Sequence, residues 1–206
     1  IEGKILKVKV LADGLLVDDD QTLGSSGLLH EESEVTVIYS RNEVEAATAE
    51  EIDAEGLLQV NIPSSITDIA ASAFDWNNQV VKVAIPESVT TIGWGAFADC
   101  GSLASITLPE SVTAIGDEAF ADCGSLVSIT LPESVTAIGD GAFAGCKSLA
   151  SITIPESVTA IGDKAFAGCE SLASITIPES VTQIGPCAFE GCESLASITM
   201  LKRYFG

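Results

Sequence analysis

Residues Leu126 to Ser148 read LVSITLPESVTAIGDGAFAGCKS, and close variants of this 23-residue phrase stand on both sides of it. Pro63, Pro86, Pro109, Pro132, Pro155 and Pro178 keep the same spacing, as do Phe74, Phe97, Phe120, Phe143, Phe166 and Phe189. A constant period of twenty-odd residues is the mark of a solenoid, in which each repeat is one supersecondary unit that touches only its neighbours. Leu126, Ile129 and Leu131 form an L-x-x-I-x-L pattern, repeated at Leu103/Ile106/Leu108 and Leu149/Ile152/Ile154, as expected of a strand that points alternate side chains inward. One parallel β-strand per repeat follows.

The rest of the repeat reads as a turn back toward that strand. Pro109 lacks a ladder donor and ends the pairing. Val112 and Ile115 read as a second short extended piece, and Gly116-Asp117 as a turn with a helix-capping carboxylate. Ala119, Phe120 and Cys123 then read as one inward-facing turn of helix or 3₁₀. Burial within one such rung does not offset the entropy of ordering its backbone, so rungs must stack.

Working outward, full rungs are expected at 57–79, 80–102, 103–125, 126–148, 149–171 and 172–194, followed by a strand from Leu195 to Met200 and a short C-terminal cap. The array thus occupies 57–206. Residues 1–56 are expected to form an N-terminal, β-containing cap region. Val35, Val37 and Tyr39 lie one period before Leu58, Val60 and Ile62, so 34–56 reads as a degenerate first repeat, with Asn42 to Ala54 acidic and helix-prone. Earlier still, Lys4 to Val10 alternates like a half-buried strand with a basic face, and Ala12-Asp13-Gly14 is a turn signal.

The phrase IPESVTAIGDKAFAGCESLASIT closely resembles the BspA-type, or Treponema-type, leucine-rich repeat, which pairs a strand with Pro, a Val/Ile-x-x-Ile-Gly step, Ala-Phe and a Gly/Asp-Cys before the next Leu. The likeness covers about residues 57–200, recurring in register. Residues 57–79 depart from it, with Ala70 for Gly and Asn77 for Cys. The resemblance implies a non-catalytic protein-binding module, an adhesion or scaffold protein that is secreted or held at the cell surface, and it offers no catalytic residues to carry over. It transfers the fold more safely than the ligand.

Composition narrows the function classes. The 206 residues carry 47% hydrophobic content and a formal net charge of −21, from nine Lys and Arg against thirty Asp and Glu, which argues against nucleic acid or an anionic membrane as partner. A basic surface or cations suit the charge better, although acidity of itself also confers solubility. No apolar run approaches a membrane span, so no membrane insertion is expected, and IEGKILKVKV lacks the apolar region of a signal peptide. Starting at Ile1 and not at Met, the chain is expected to be a processed or trimmed form.

No enzyme, cofactor or metal site is expected. His30 is the single histidine and stands outside the repeats, and Asp18-Asp19-Asp20 lacks the spaced ligands and glycine of a calcium loop. Cys100, Cys123, Cys146, Cys169 and Cys192 form a column at the repeat period. It is odd in number and read as reduced core thiols. Cys187 takes the slot of Glu118, Gly141 and Lys164 and is read as exposed; pairing with Cys192 and remaining a thiol both stay open.

Candidate binding residues fall into three groups. Ser105/Thr107, Ser128/Thr130, Ser151/Thr153, Ser174/Thr176 and Ser197/Thr199 point outward from the sheet, either as a solvated surface or as a donor and acceptor grid for ice or glycans; Ser111/Thr113, Ser134/Thr136, Ser157/Thr159 and Ser180/Thr182 form a second array. Glu87, Glu110, Glu133, Glu156 and Glu179 form an acidic column beside the prolines, read as a solvated turn or as a site for a basic partner or divalent cation. Trp76 and Trp94 break otherwise small positions near Asn77, Asn78 and Lys82, either as a contact patch or as packing against the cap. The expected partner is a protein, basic or repetitive; a structural subunit of a larger assembly is the alternative from another class. Oligomeric state is open.

Overall fold

The computed structural model describes residues 11–12, 15–16, 48–52, 58–62 and 64–201. In chain order the strands are β1 (Leu11–Ala12), β2 (Leu15–Leu16), β3 (Thr48–Ile52), β4 (Leu58–Asn61), β5 (Asp68–Ile69), β6 (Val80–Ala84), β7 (Thr91–Ile92) and β8 (Ser105–Thr107). There follow β9 (Ala114–Ile115), β10 (Ser128–Thr130), β11 (Ala137–Ile138), β12 (Ser151–Thr153), β13 (Ala160–Ile161), β14 (Ser174–Ile177), β15 (Gln183–Ile184) and β16 (Ser197–Met200).

Beyond β3 these strands build a parallel solenoid with two ladders. The expected strand of each rung forms the main sheet, ordered β12-β10-β8-β6-β4-β3, and the short extended piece at Ala114–Ile115 and its equivalents forms a second sheet, ordered β15-β13-β11-β9-β7-β5. Main-sheet pairing is one period apart, as in Ser128↔Ser105 and Ser128↔Ser151, so every column of the repeat becomes a column in space. β14 and β16 pair with each other. Between β12 and β14 ladder pairing lapses, and the Ala173 N–H reaches the Ala150 carbonyl at 3.5 Å.

The core lies between the two ladders. Leu126, Ile129, Leu131, Val135, Ile138, Ala142, Phe143 and Cys146 are all buried, and equivalent residues repeat this set along the array. The phenylalanine rings stack in one file, with centroids 4.9 Å apart at Phe74–Phe97, rising to 5.6 Å at Phe166–Phe189. Such spacing follows the separation of adjacent strands.

Three local expectations are corrected. The stretch Asn42 to Ala54, read as helix-prone, contains β3, which runs antiparallel to β4 with Ala49 opposite Val60; pairing along the sheet edge overrides local propensity. Ala119, Phe120 and Cys123, read as one turn of helix or 3₁₀, lie in or directly after a run of turns over 117–122, and no helix occurs among the described residues. Alternate N–H groups of this run leave the rung: Glu118, Phe120 and Asp122 donate to the carbonyls of Asp140, Ala142 and Ala144 at 2.7, 2.8 and 2.7 Å. Glu118 and Asp122 take φ of 55° and 54°, which no right-handed helix accommodates. Asp117, read as a helix cap, instead accepts the N–H of Asp140 one rung on at 2.9 Å, and Asp140 accepts that of Asp163 at 2.7 Å.

The Ala70 departure in the first rung follows from stacking. A Cβ on Gly139 would stand 2.6 Å from the backbone of Gly116 and Asp117, because each rung rests there directly on the preceding one. Ala70 belongs to the first rung of this ladder, which opens at β5, so among the described residues no preceding rung lies against its methyl group. Asn77, buried at 6% exposure, replaces the repeat cysteine. Its side-chain oxygen accepts the Gln79 N–H at 3.2 Å instead.

The turn expected at Ala12-Asp13-Gly14 agrees with β1 pairing antiparallel to β2, Ala12 opposite Leu15. The strand read at Lys4–Val10, the degenerate strand at Val35–Tyr39, His30, the 56/57 boundary and the cap at 202–206 lie outside the described residues.

Candidate partner-binding surface

Interior polar groups are consumed by stacking, which decides what remains for a ligand. The thiols of Cys100, Cys123, Cys146, Cys169 and Cys192 each donate to a phenylalanine carbonyl of the preceding rung, at 3.0–3.2 Å. Burial pushes the Cys100 and Cys169 thiols up to about 12 and raises those of Cys123 and Cys146 as well. A thiol held protonated is a poor nucleophile and a poor metal ligand. All six cysteines are thiols in the structure. Cys187 is exposed, its thiol raised by a hydrogen bond to Glu190, while Cys192 continues the inward file.

The second hydroxyl array, read as a surface grid, is half structural. The hydroxyls of Ser111 and Ser157 donate to the carbonyls of Val89 and Val135 at 2.6 Å, and that of Ser134 to Val112. Ser180 breaks the series, its buried hydroxyl having no hydrogen-bond partner among the described residues. Thr113 and Thr159 stay exposed while donating to Thr90 and Thr136 at 3.3 and 3.2 Å.

Three surfaces remain. The main sheet presents Ser105, Thr107, Ser128, Thr130, Ser151 and Thr153 outward, and β14 presents Ser174 and Thr176, each exposed around a buried isoleucine. Exposed Lys82 heads the serine column, opposite Ser105. Beside the prolines, Glu87, Glu110, Glu133 and Glu156 are exposed and Glu179 half-buried.

The turn face is the most varied. Trp94 heads the column that continues as Asp117, Asp140 and Asp163, and Trp76 heads the column that continues as Asp99 and Asp122 before turning to Gly145 and Gly168. Trp76 and Trp94 are 65% and 54% exposed. The Trp76 N–H donates to the Ala98 carbonyl at 2.9 Å, fixing its position against the rung that carries Asp99. The Asp99 carboxyl is raised from its ordinary value by burial and then by the nearby carboxylates of Asp122 and Asp75. Sequence reasoning singled out the tryptophans but not these aspartates. Their signal was present as the shared columns 76/99/122 and 94/117/140.

Among the described residues no group of three or more His, Cys, Asp or Glu is arranged to hold a metal ion, and no helix is long and apolar enough to cross a membrane.

A parallel stack of short rungs, with an inward file of Phe and Cys and an outward face of small hydroxyls, defines a leucine-rich repeat solenoid. The chain belongs to the BspA type leucine rich repeat family, whose six-copy repeat region matches residues 53–147 and 113–204. The crystal structure of a T. pallidum leucine rich repeat protein is similar at 38% identity and a TM-score of 0.67, over 68% of this chain and 68% of that one. A leucine rich cell surface protein from Faecalibacterium prausnitzii A2-165 is similar at 38% identity and a TM-score of 0.57, over 78% of this chain and 39% of its own. This chain therefore spans well under half of that protein. The pneumococcal vaccine antigen PcpA shares the fold at 22% identity and a TM-score of 0.57, over 82% of this chain and 51% of its own. No curated protein matches the chain significantly.

Proposed function

We propose that this chain is a non-catalytic protein-binding module of an adhesion or scaffold protein displayed at the cell surface, with the array itself as the contact surface. The observation that carries the reading is the placement of Trp76 and Trp94, two large aromatics left exposed in turn columns whose other members are aspartates, glycines, Ala71 and Pro186. Exposed aromatics of this kind are enriched where proteins meet. The surface location is supported by the F. prausnitzii relative, named as a cell surface protein. A solenoid offers a long face with independently variable positions, so the near-identical central rungs suit a repetitive ligand and the first rungs, with Lys82, supply specificity.

Capture of extracellular matrix or cell-surface proteins on the immobilised chain tests this. Retention that drops sharply for Trp76→Ala with Trp94→Ala supports it. Retention that survives those changes but is lost when Glu110, Glu133 and Glu156 become Gln moves the site to the acidic column.

A second reading, a structural subunit of a larger assembly, has one observation in its favour: Ile184, Ile198, Met200 and Leu201 are exposed at the last rung. Isolation of a stoichiometric complex from the native source, lost on Ile198→Asp with Met200→Asp, would favour it.

A further inference from the structure

Turns 71–76, 94–99 and 117–122 stack on consecutive rungs and read ASAFDW, WGAFAD and DEAFAD. Their alanines and phenylalanines are mostly buried or half-buried, which leaves Trp76, Trp94, Asp75, Asp99, Asp117, Glu118 and Asp122 as the chemistry this face offers. Two exposed indoles and five carboxylates stand there without a lysine or arginine on the same three turns. Lys82 lies on the main sheet, and Lys147 and Lys164 lie on later rungs, Lys147 being paired with Glu170 at 3.3 Å.

Each indole continues directly into acid. Gly95 donates to the Asp117 carbonyl at 2.9 Å, seating Trp94 one rung from Asp117, while Asp99 follows Trp76 in its own column and donates to Ala121 at 2.8 Å. The backbone at Trp76 has φ of 60°, a left-handed state for which the equivalent positions of later rungs use Gly145, Gly168 and Gly191. A bulky aromatic is costly there, and its exposure means that interior packing does not recover the cost.

We propose that the turn face of the first three rungs binds an arginine-bearing basic segment of a partner protein. The assignment rests on the reading of the chain as a protein-binding module and names the chemistry of that module's partner. Guanidinium is the cation that satisfies both halves of the face: its plane stacks on an indole, and its fork of N–H donors pairs with a carboxylate. Crowding of Asp75, Asp99 and Asp122 adds to the attraction, since a cation between them relieves their mutual repulsion. A free divalent ion lacks a converging ligand set among the described residues, and nucleic acid is repelled by the net charge of −21.

Trp76 and Trp94 are the only tryptophans in the chain, so its intrinsic emission reports on this face alone. Titration of the full chain with an octa-arginine peptide at low salt should give a saturable change in that emission, and an octa-lysine peptide should bind several-fold more weakly. By calorimetry, Asp99→Asn with Asp122→Asn should weaken binding by about tenfold, as should Trp76→Ala with Trp94→Ala, whereas Trp76→Phe with Trp94→Phe should retain most of it. Glu133→Gln with Glu156→Gln alters net charge by the same amount on a different face and should weaken binding by less than about twofold. Equal weakening by the two acidic pairs would mean that net charge alone attracts the peptide, and would overturn the assignment. So would the absence of a saturable emission change. A captured protein partner that binds the Asp99/Asp122 and Trp76/Trp94 variants unchanged would leave the protein-binding reading standing and overturn only this face.

Discussion

The turns at 71–76 and 94–99 and those at 140–145 and 163–168 share one backbone and one interior, yet present different surfaces. In both regions the phenylalanines stack face to face and the following thiol, where present, reaches back to a phenylalanine carbonyl. Outward, the early turns carry Trp76, Trp94, Asp75 and Asp99, and the later ones alanine, glycine, Lys164 and an aspartate ladder. Repetition is therefore imposed from inside, where each side chain must fit its copies on both neighbours. Outward side chains such as those of Trp76 and Trp94 have no such copies to fit and are free to differ.

That contrast makes the interior sensitive and the turn face tolerant, beginning with alkaline pH. An unfolded thiol titrates near 8.5, whereas Cys100 and Cys169 in the fold are pushed up to about 12, with Cys123 and Cys146 also raised. The folded chain keeps protons that the unfolded chain releases in this window. The stability involved is whole below the unfolded value and is lost as pH rises through the folded one, at about 1.4 kcal/mol per thiol for each pH unit. Urea midpoints should fall steeply above about pH 9, and the slope should flatten in Cys123→Ala with Cys146→Ala. A flat alkaline profile would refute the burial of the file.

Next in size is Phe120→Ala, which removes a ring stacked on both sides at 5.3 and 5.4 Å. A loss of about 3–5 kcal/mol in chemical denaturation is expected. Phe189→Ala, half-buried with one stacking neighbour described, should cost distinctly less.

Gly139→Ala brings a methyl within 2.6 Å of the preceding rung's backbone and should cost about 1–3 kcal/mol, whereas Gly124→Ala, with nothing within 4 Å, should be close to neutral. Equal effects would mean that the rungs are not in close contact at the glycine column.

The smallest effects belong to the turn face. Trp76→Ala should change stability by no more than about 0.5 kcal/mol. Asp99→Asn should raise Tm slightly at neutral pH: the folded carboxyl is raised, so its charged form opposes folding, and the penalty disappears as pH falls below the ordinary carboxylate range. A thermal shift that stays constant down to about pH 3 would assign the gain to something other than charge.

Period, strand, inward Phe and Cys files and outward Ser-x-Thr columns were all legible from Leu126–Ser148 and its copies, because each is a local pattern multiplied by a constant spacing. The tertiary structure alone decided which column reaches which. Ser111 and Asp117 are both small polar residues in turn-like contexts, and only the stacking shows that one bonds Val89 of the preceding rung while the other accepts Asp140 of the next. The same holds for the 117–122 turn, whose composition permits a helix until its alternate N–H groups are drawn to the following rung, and for β3, where pairing with β4 outweighs an acidic, helix-prone stretch. Bonds between residues 22 to 26 positions apart carry no signature inside a single repeat, since every copy contains both donor and acceptor and the register between copies exists only once they are stacked.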